Sequence, residues 1–230
     1  MSPRSLLTPR TSTPSLTSSY SSSLPRLCSV PSAIITGGDS GIGRAVAIAF
    51  AREGARVTIV HLPDEQRDAD EAAELIRKSE SAHGSKEVLT IAGDLMEREF
   101  CESVVKKHVE RWGGLDILVN NASKQVRLFF LLLFPSSIPS GTTWKLTACF
   151  ASLPIHIQIA CEHFEEIDLD NVESTFRSNI LAMHALTKYA LPHLKRGSAI
   201  INTSSVTAFK GSKGMVDYSC TLPCHRGSLL

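Results

Sequence analysis

The sequence predicts an α/β fold built on a doubly wound parallel sheet. Over residues 33–120, short apolar runs alternate with longer segments of helical periodicity. The runs are apolar throughout, as in strands that are buried on both faces. Strands separated by helices of this length require βαβ crossovers, so the sheet is expected to be parallel. With 230 residues, 43% of them hydrophobic and 20% charged, the chain has the size and composition of one globular domain.

Each element follows from its local pattern. We predict strands at 33–36, 56–60, 87–92, 115–120 and 198–203. We predict helices at 42–53, 69–81, 97–112 and 172–194, and a further helix under way by Leu222. In the first helix, Ile42, Val46, Ala49 and Phe50 recur at helical spacing, and the glycine at position 54 ends the pattern.

The charge balance excludes two classes of partner. The net charge of +1 provides no field for binding nucleic acid or an anionic membrane. The longest apolar run, Leu128–Phe134, has seven residues, far short of the ~20 that span a bilayer. We therefore expect neither a nucleic-acid partner nor a membrane partner.

Acidic residues divide the chain into two kinds of sequence. All 23 lie in 33–125 and 162–218, and none lies in 1–32, 126–161 or 219–230. We interpret 1–32 as a disordered or targeting segment and 33–230 as one domain with an aberrant insert (126–161) and an aberrant tail (219–230). The three odd segments are hypothesised to come from retained non-coding sequence or a mispredicted gene model, which transcript sequencing across 125–162 and 219–230 would test. The alternative for the insert is a lid over a substrate site.

The location in the cell stays open between two interpretations. Residues 1–32 are Ser- and Pro-rich, which favours disorder. A basic, acid-free, Ser-rich segment is also typical of a mitochondrial or plastid transit peptide. The six cysteines form no disulfide framework, which favours a reducing compartment such as the cytoplasm. His156, Cys161 and His163 fit no zinc spacing, so no metal site is expected.

A glycine-rich bend is the first chemical motif. The string Thr36-Gly-Gly-Asp-Ser-Gly-Ile-Gly43 joins the first strand to the first helix. Gly37 permits a sharp exit from the strand, and Gly41 and Gly43 leave no side chain between the backbone and a ligand. The helix that follows points free N–H groups and its positive dipole end at an anion. In a βαβ setting, this arrangement is typical of a Rossmann-type dinucleotide site that binds a pyrophosphate.

A set of motifs in fixed order makes the prediction specific. Thr36–Gly43, Asp94-Leu95, Asn120-Asn121-Ala122, Asn179, Ser205 and Tyr218 occur in the order and spacing of the short-chain dehydrogenase/reductases, which this sequence resembles. The longer strings Gly-Gly-Asp-Ser-Gly-Ile-Gly-Arg-Ala, Asn-Asn-Ala-Ser-Lys-Gln and Val-Asp-Tyr-Ser are similar to its glucose/ribitol-dehydrogenase-like branch.

The resemblance implies a role for each matching residue. The bend would line the pyrophosphate of NAD or NADP with Gly37, Asp39, Ser40, Gly41, Ile42 and Gly43. Asp94, followed by Leu95, would bond the adenine amino group, and Asn120 and Ala122 would flank the adenine ribose. Tyr218 would be the acid/base toward an alcohol or carbonyl substrate resembling a sugar or polyol. Ser205 would hold the substrate oxygen, and Asn179 would support a proton-relay water.

Each of these residues also has a purely structural interpretation. Asp94 can cap the following helix, and Asn120 can satisfy buried backbone. Asn179 would otherwise be a helix weakener facing water. Ser205 would be a loop hydroxyl and Tyr218 a half-buried aromatic.

The sequence departs from the family four residues after the tyrosine. The family has Lys there, and this chain has Leu222. The resemblance implies that an ammonium at that position would lower the phenol pKa from about 10 and would also bind the nicotinamide ribose. A leucine side chain can do neither. The match also stops at Ser219, so we expect a C-terminally truncated sheet without the helix that carries the lysine. The family forms homo-oligomers partly through that helix, so its loss argues against an oligomer here.

Two functions follow. The first is an NAD(P)-dependent oxidoreductase with impaired turnover, and the second is a catalytically inactive dinucleotide-binding sensor or interaction module. The choice between NAD and NADP stays open. His61 stands at the end of the second strand, where an acid would favour NAD, with Asp64 and Glu65 slightly further on. Arg44 can receive a 2′-phosphate or be a solvated helix arginine, the interpretation we prefer.

Overall fold

A computed structural model describes residues 30–79, 85–124 and 164–222 of the chain. The whole predicted insert, 126–161, and the last residues of the predicted tail, 223–230, lie outside the described residues. Residues 1–29 also lie outside them, as do the two histidines and the cysteine considered as metal ligands. The predicted tail therefore enters the structure only through residues 219–222, which continue the last helix and end buried.

The described residues form a five-stranded, all-parallel sheet flanked by helices, as predicted. The strands are β1 (Ser32–Thr36), β2 (Arg56–His61), β3 (Val88–Ala92), β4 (Ile117–Asn120) and β5 (Ala199–Asn202). The helices are α1 (Gly41–Arg52), α2 (Gln66–Arg77), α3 (Arg98–Trp112), α4 (Leu169–Phe176), α5 (Ala182–Ala190), α6 (Thr207–Lys210) and α7 (Val216–Thr221). Short 3₁₀ turns occupy Pro63–Glu65, Phe164–Glu166 and Leu191–His193.

The strand order is β3-β2-β1-β4-β5, which confirms the doubly wound fold. Because the chain moves from β1 outward on one side and then returns to β4, the carboxyl ends of β1 and β4 flank a crevice at the point where the order reverses. Ser32 is a buried residue of β1, so the ordered domain begins before the predicted boundary at 33.

Alternate residues of β1 enter two separate cores. Ile34 packs with the buried side chains of α3 and α5 on one face. Ala33 and Ile35 pack with those of α1 and α2 on the other. Full burial of the strand on both faces explains why its three central residues, 33–35, are all apolar.

Small residues form the face of α1 that packs on the sheet. They are Gly43, Ala47 and Ala51, and they let the helix backbone approach the strands closely. Of the apolar residues that recur at helical spacing, Val46 and Phe50 are partly buried against this core, whereas Ile42 and Ala49 are exposed.

The helix predicted over 172–194 is interrupted. It is α4, a π-helical turn at Arg177–Leu181, α5 and a final 3₁₀ turn. A π turn inserts an extra residue and rotates the side chains that follow, and such turns are frequent at functional sites. The apolar periodicity did not reveal it because both flanking segments are regular helix.

A buried polar network closes the amino-terminal edge of the sheet. The His108 ring lies 2.8 Å from the Thr58 hydroxyl through Nδ1 and 3.3 Å from that of Ser32 through Nε2. The Trp112 indole donates to Thr58 at 3.1 Å. Burial of His108 lowers its pKa from 6.5 to about 4, against the opposing effects of a Gly114 backbone bond and the charge of Asp116.

We expect this histidine to make the fold acid-sensitive. Between pH 6.5 and about pH 4, His108 is mostly protonated in the unfolded chain and mostly neutral in the folded chain. The free energy of unfolding should therefore fall by up to about 3 kcal/mol across that window, and the stabilisation is fully present only above it. Urea unfolding between pH 7 and pH 4, compared with His108→Gln, measures this, and equal pH slopes in the two proteins would contradict it.

Candidate functional site

The bend after β1 has the shape that the sequence predicts. Gly37 and Gly41 have φ of +61° and +51°, a region open chiefly to glycine. The Gly37 N–H donates to the Val60 carbonyl of β2 at 2.8 Å, which fixes the start of the bend on the neighbouring strand. Ser40, Gly41 and Ile42 are exposed at its outer side.

The two later glycines serve different purposes. A Cβ on Gly41 would meet nothing within 4 Å, so its open side faces space that a ligand can occupy. A Cβ on Gly43 would lie 1.9 Å from the Gly37 carbonyl oxygen and 2.6 Å from the Asn121 Nδ2 atom. Glycine is therefore required at position 43 because the start of α1 lies directly against the bend. This finding corrects the expectation that Gly43 clears space for the ligand.

The amino terminus of α1 has no side-chain cap. Its N-cap residue, Ser40, makes no capping hydrogen bond, and the first turn holds no acidic residue. The first N–H groups of a helix have no partner inside the helix. An anion placed at this end would meet these donors and the positive end of the helix dipole.

The end of β4 is bonded directly to the bend. Asn121 donates through Nδ2 to the carbonyls of Thr36 and Gly37, at 3.1 and 3.3 Å. The Thr36 hydroxyl accepts the backbone N–H groups of Asn121 and Ala122, each at 2.9 Å. The motifs at 36–43 and 120–122 thus form one unit, as their order implied.

Asn120 serves the packing of the sheet. It is 4% exposed, and its Nδ2 atom donates to the Asn202 side chain at 2.9 Å and to the Thr187 hydroxyl at 3.3 Å. These bonds join β4 to β5 and α5 through side chains, whereas the structural role considered for Asn120 was to satisfy buried backbone. Its proposed contact with an adenine ribose has no support from this side chain.

Asp94 forms a turn after β3 and is not the cap of α3. Its Oδ1 atom accepts a hydrogen bond from the Met96 N–H at 2.9 Å, and its backbone carbonyl accepts one from the Glu97 N–H at 3.1 Å. The N-cap of α3 is Glu97, without a side-chain bond. Asp94 also lines an open cleft between the start of α3 and α4, whereas Leu95 packs against a core cluster.

Asn179 is fully buried in the π turn, which contradicts the interpretation that it faces water. Its Oδ1 atom accepts the Lys124 N–H at 2.6 Å, and its Nδ2 atom donates to the Lys124 carbonyl at 3.0 Å. The Nδ2 atom also donates to the Thr221 hydroxyl at 3.1 Å. Asn179 therefore connects the loop after β4 to the helix that carries Tyr218.

Ser205 and Tyr218 lie on neighbouring segments, and their side chains are not bonded to each other among the described residues. The Ser205 hydroxyl accepts the N–H of Thr207 at 3.3 Å and its hydroxyl at 3.2 Å, which starts α6. Tyr218 is half-buried in α7, and its carbonyl accepts the Thr221 hydroxyl at 2.8 Å.

Leu222 fills a core position directly after α7. It is 1% exposed, and its carbonyl accepts the Ser204 hydroxyl at 3.3 Å. The position at which the family has lysine is thus enclosed and carries an apolar side chain. This residue provides no cation to act on the tyrosine.

Arg44 is ion-paired, so its interpretation as a solvated helix arginine was wrong. Its guanidinium lies 3.5 Å from the Asp68 carboxylate and 3.6 Å from that of Glu71. Its Nε atom donates to the Asp39 carbonyl at 2.5 Å. Asp39 is 1% exposed, and neither of its carboxylate oxygens has a partner among the described residues.

Two further residues hold α7 in place and were missed from the sequence. The Thr221 hydroxyl accepts from Asn179 at 3.1 Å, and the fully buried Thr175 donates to the Asp217 carboxylate at 2.9 Å. Single Thr and Asp residues in helices carry no pattern that predicts such contacts. Their shared effect is to fix α7 on α4 and on the π turn.

The buried Cys101 is not a candidate nucleophile. Burial raises the pKa of its thiol to about 11, so the reactive thiolate is scarce near neutral pH. In the described part of the chain, no cluster of three metal-ligating side chains occurs. Within the same residues, no helix has both the length and the apolar character needed to cross a membrane.

The doubly wound sheet and the glycine-rich bend together define a protein of the Rossmann type. Comparison with known proteins identifies its family. A family model described as short chain dehydrogenase matches residues 31–138 and 156–221, and the chain belongs to this family. The match extends into both ends of the predicted insert and reaches Thr221, three residues beyond Tyr218.

Curated relatives include oxidoreductases of bacteria and plants. The Bacillus subtilis oxidoreductase YhdF is 42% identical over 82% of this chain and 52% of its own length. NADPH-dependent aldehyde reductase 1, chloroplastic, of Arabidopsis thaliana is 38% identical over 82% of this chain and 54% of its own length. Glucose and ribitol dehydrogenase of Daucus carota is 36% identical over 82% of this chain and 54% of its own length. The chain spans about half the length of the curated relatives that it matches.

Solved structures share the fold. A short chain dehydrogenase from Burkholderia cenocepacia in complex with NADP superposes with a TM-score of 0.66 at 24% identity, covering 86% of this chain and 65% of that one. The NADH-dependent reductase A1-R′ complexed with NAD gives 0.63 at 24% identity, covering 85% and 68%. Proteins of this fold thus bind either nucleotide.

Proposed function

We propose that this chain binds NAD or NADP at the crevice between β1 and β4 and that it is an oxidoreductase of alcohols or carbonyls whose turnover is impaired. One observation carries the binding: the bend at 37–43 leads into an uncapped helix terminus whose outer side is open at Gly41. Free N–H donors beside the positive end of a helix dipole suit a pyrophosphate.

Most residues assigned to the nucleotide keep the roles that the resemblance implies. The bend would hold the pyrophosphate through the backbone of Gly37, Asp39, Ser40, Gly41 and Ile42, whereas Gly43 lets α1 approach the bend. The adenosine would lie toward Asp94, Leu95 and Ala122, whereas the Asn120 side chain joins β4 to β5 and α5. Support for this grouping is the hydrogen bonding that fixes the Asn121–Ala122 backbone on Thr36.

The chemistry would centre on Tyr218. A bound nicotinamide supplies the position that accepts or donates a hydride. Tyr218 would exchange a proton with the substrate oxygen, Ser205 would hold that oxygen, and Asn179 would keep α7 in place through its bond to Thr221. A sugar or polyol substrate is favoured by the resemblance and by the name of the carrot relative.

Leu222 is the reason to expect impaired turnover. A phenol with a pKa near 10 is a weak base at neutral pH, and a positioned acid/base typically contributes ~10²–10⁴ to a rate. The buried leucine supplies no charge to lower that pKa. The Ser205 hydroxyl, already bonded to Thr207, would have to turn to reach a substrate.

The second candidate function is a dinucleotide-binding sensor or interaction module without catalysis. The observation that favours it is that Leu222 is buried where the family has lysine, while the glycine-rich bend keeps its positive φ angles at Gly37 and Gly41. The two candidates share the binding step and differ only in turnover.

One experiment separates these candidates. The full chain is titrated with NADH and NADPH by calorimetry. Oxidation of ribitol and glucose by added NAD⁺ or NADP⁺ is then followed at 340 nm, where the reduced nucleotide that forms absorbs. We expect binding with turnover reduced by ~10² or more relative to the carrot enzyme assayed in parallel. Binding with no measurable turnover supports the second candidate, and absence of binding by folded protein contradicts both.

We propose that the protein is located in the cytoplasm. The alternative is the mitochondrion or plastid, to which residues 1–32 would direct it as a transit peptide. The Arabidopsis relative is named as chloroplastic, which keeps the alternative open. A fluorescent protein that carries residues 1–32 at its amino terminus should give a diffuse cytosolic signal. Accumulation in plastids or mitochondria would overturn that expectation.

A further inference from the structure

The charges around the bend decide which nucleotide fits. NAD and NADP differ at one place, the 2′ position of the adenine ribose, which carries a hydroxyl in NAD and a phosphate in NADP. A site for the phosphate needs an available cation, usually an arginine. The charge state of the residues between the bend and α2 is therefore the feature to examine.

The arginine nearest the bend is already neutralised. Arg44 contacts two carboxylates of α2, at 3.5 Å from Asp68 and 3.6 Å from Glu71. Its Nε atom is bonded to the Asp39 carbonyl, so the guanidinium is also fixed in orientation. To receive a phosphate, Arg44 would have to leave these acids or bring the phosphate close to them.

The bend itself contains a buried acid. The Asp39 carboxylate is enclosed, with both oxygens lacking a hydrogen-bond partner in the described residues. A carboxylate removed from water interacts strongly with any other charge nearby, because little solvent screens it. A 2′-phosphate, with a charge close to −2 at neutral pH, would be repelled, whereas a hydroxyl would not.

The end of the neighbouring strand offers a second unpartnered group. The Nδ1 atom of His61 lies 2.8 Å from the Leu62 carbonyl, which can only accept, so Nδ1 carries the hydrogen. The Nε2 atom is buried without a partner among the described residues. In the neutral ring this atom is an acceptor, which suits a ribose hydroxyl as donor.

The wider surroundings are acidic. From the bend through the first turns of α2, residues 36–71 hold four arginines and seven acidic residues. The formal net charge of this stretch is therefore −3, which disfavours the more negative nucleotide.

We infer that this chain selects NAD(H) over NADP(H), with Asp39 and the Arg44–Asp68–Glu71 cluster as the determinants. The inference rests on the proposed dinucleotide binding and goes beyond it by naming the cofactor. One relative is named as NADPH-dependent and one structural neighbour as NADH-dependent, so likeness to known proteins does not decide the preference. We expect NADH to bind at least about tenfold more tightly than NADPH.

The test compares the two affinities by calorimetry in the full chain and in two matched variants. The double variant Asp68→Asn/Glu71→Gln frees Arg44 from its acids. The control, Asp70→Asn/Glu74→Gln, makes the same change in net charge on the same helix at exposed acids without a contact to Arg44 in the described residues. The preference for NADH should fall at least about threefold in the first variant and stay unchanged in the control.

The outcomes separate this inference from the proposed function. If NADPH binds the unmodified chain as tightly as NADH, the inference is overturned while dinucleotide binding stands. An equal change in both variants would also overturn the assignment, since a long-range charge effect would then explain the preference. If neither nucleotide binds folded protein, the proposed function fails and the inference fails with it.

Discussion

Replacing Gly43 with alanine should destabilise the domain by about 3 kcal/mol and weaken nucleotide binding at least about tenfold. The added Cβ would lie 1.9 Å from the Gly37 carbonyl oxygen, in backbone that cannot rotate away, and 2.6 Å from Asn121. Relief of the clash requires α1 to move off the bend, which breaks the bonds from Asn121 to Thr36 and Gly37. Urea unfolding and calorimetric titration with NADH measure the two effects.

The sign of the effect makes this prediction decisive. Gly43 is the third residue of α1, and alanine normally favours a helix over glycine by about 1 kcal/mol. Gly114→Ala is the control, because a Cβ there meets nothing within 4 Å and its φ is not positive. If Gly43→Ala leaves stability and binding as they are in the control, the close approach of α1 to the bend is not what requires glycine.

Replacing Leu222 with lysine should lower the free energy of unfolding by about 3–5 kcal/mol and should not restore turnover. The side chain at this position is 1% exposed, so an ammonium there would lose its hydration. Desolvation would also lower the pKa of the introduced lysine, and a neutral amine would provide no positive charge to favour the phenolate. Urea unfolding and the ribitol assay test the two parts.

The matched variant for this position is Leu222→Met. A flexible apolar side chain of similar volume keeps the packing, and the expected loss is below about 1.5 kcal/mol. A measurable rate of ribitol oxidation in Leu222→Lys, above that of Leu222→Met, would show that a single side chain separates this chain from an active enzyme.

The fold could be predicted from the sequence because its strands have unambiguous patterns. The buried run at β1 and the glycine bend after it place the first βαβ unit, and each later strand follows a regular helix. The details that failed depend on contacts across the fold. The buried face of α1 consists of Gly43, Ala47 and Ala51, which have too little hydrophobic surface to dominate a periodicity.

The bend follows β1 and the 120–122 motif follows β4, and neighbouring parallel strands bring these carboxyl ends to one edge of the sheet. Hydrogen bonds from Asn121 and Ala122 to Thr36 join the two motifs there, and these contacts were not predicted from the sequence. The burial of Asn179 was not predictable, since the π turn that turns it inward has no sequence pattern. The pairing of Arg44 depends on the packing of α2 against α1, which a linear sequence does not specify.

Hydrogen exchange at the bend tests the central claim most directly. In the full chain, mass spectrometry should show slower exchange of the amides at 37–44 and 121–124 when NADH is added, because those N–H groups become bonded or enclosed. Residues 104–112, on the far side of the sheet, should exchange at an unchanged rate. Unchanged exchange at 37–44 under concentrations of NADH that saturate the carrot relative would contradict binding by this backbone.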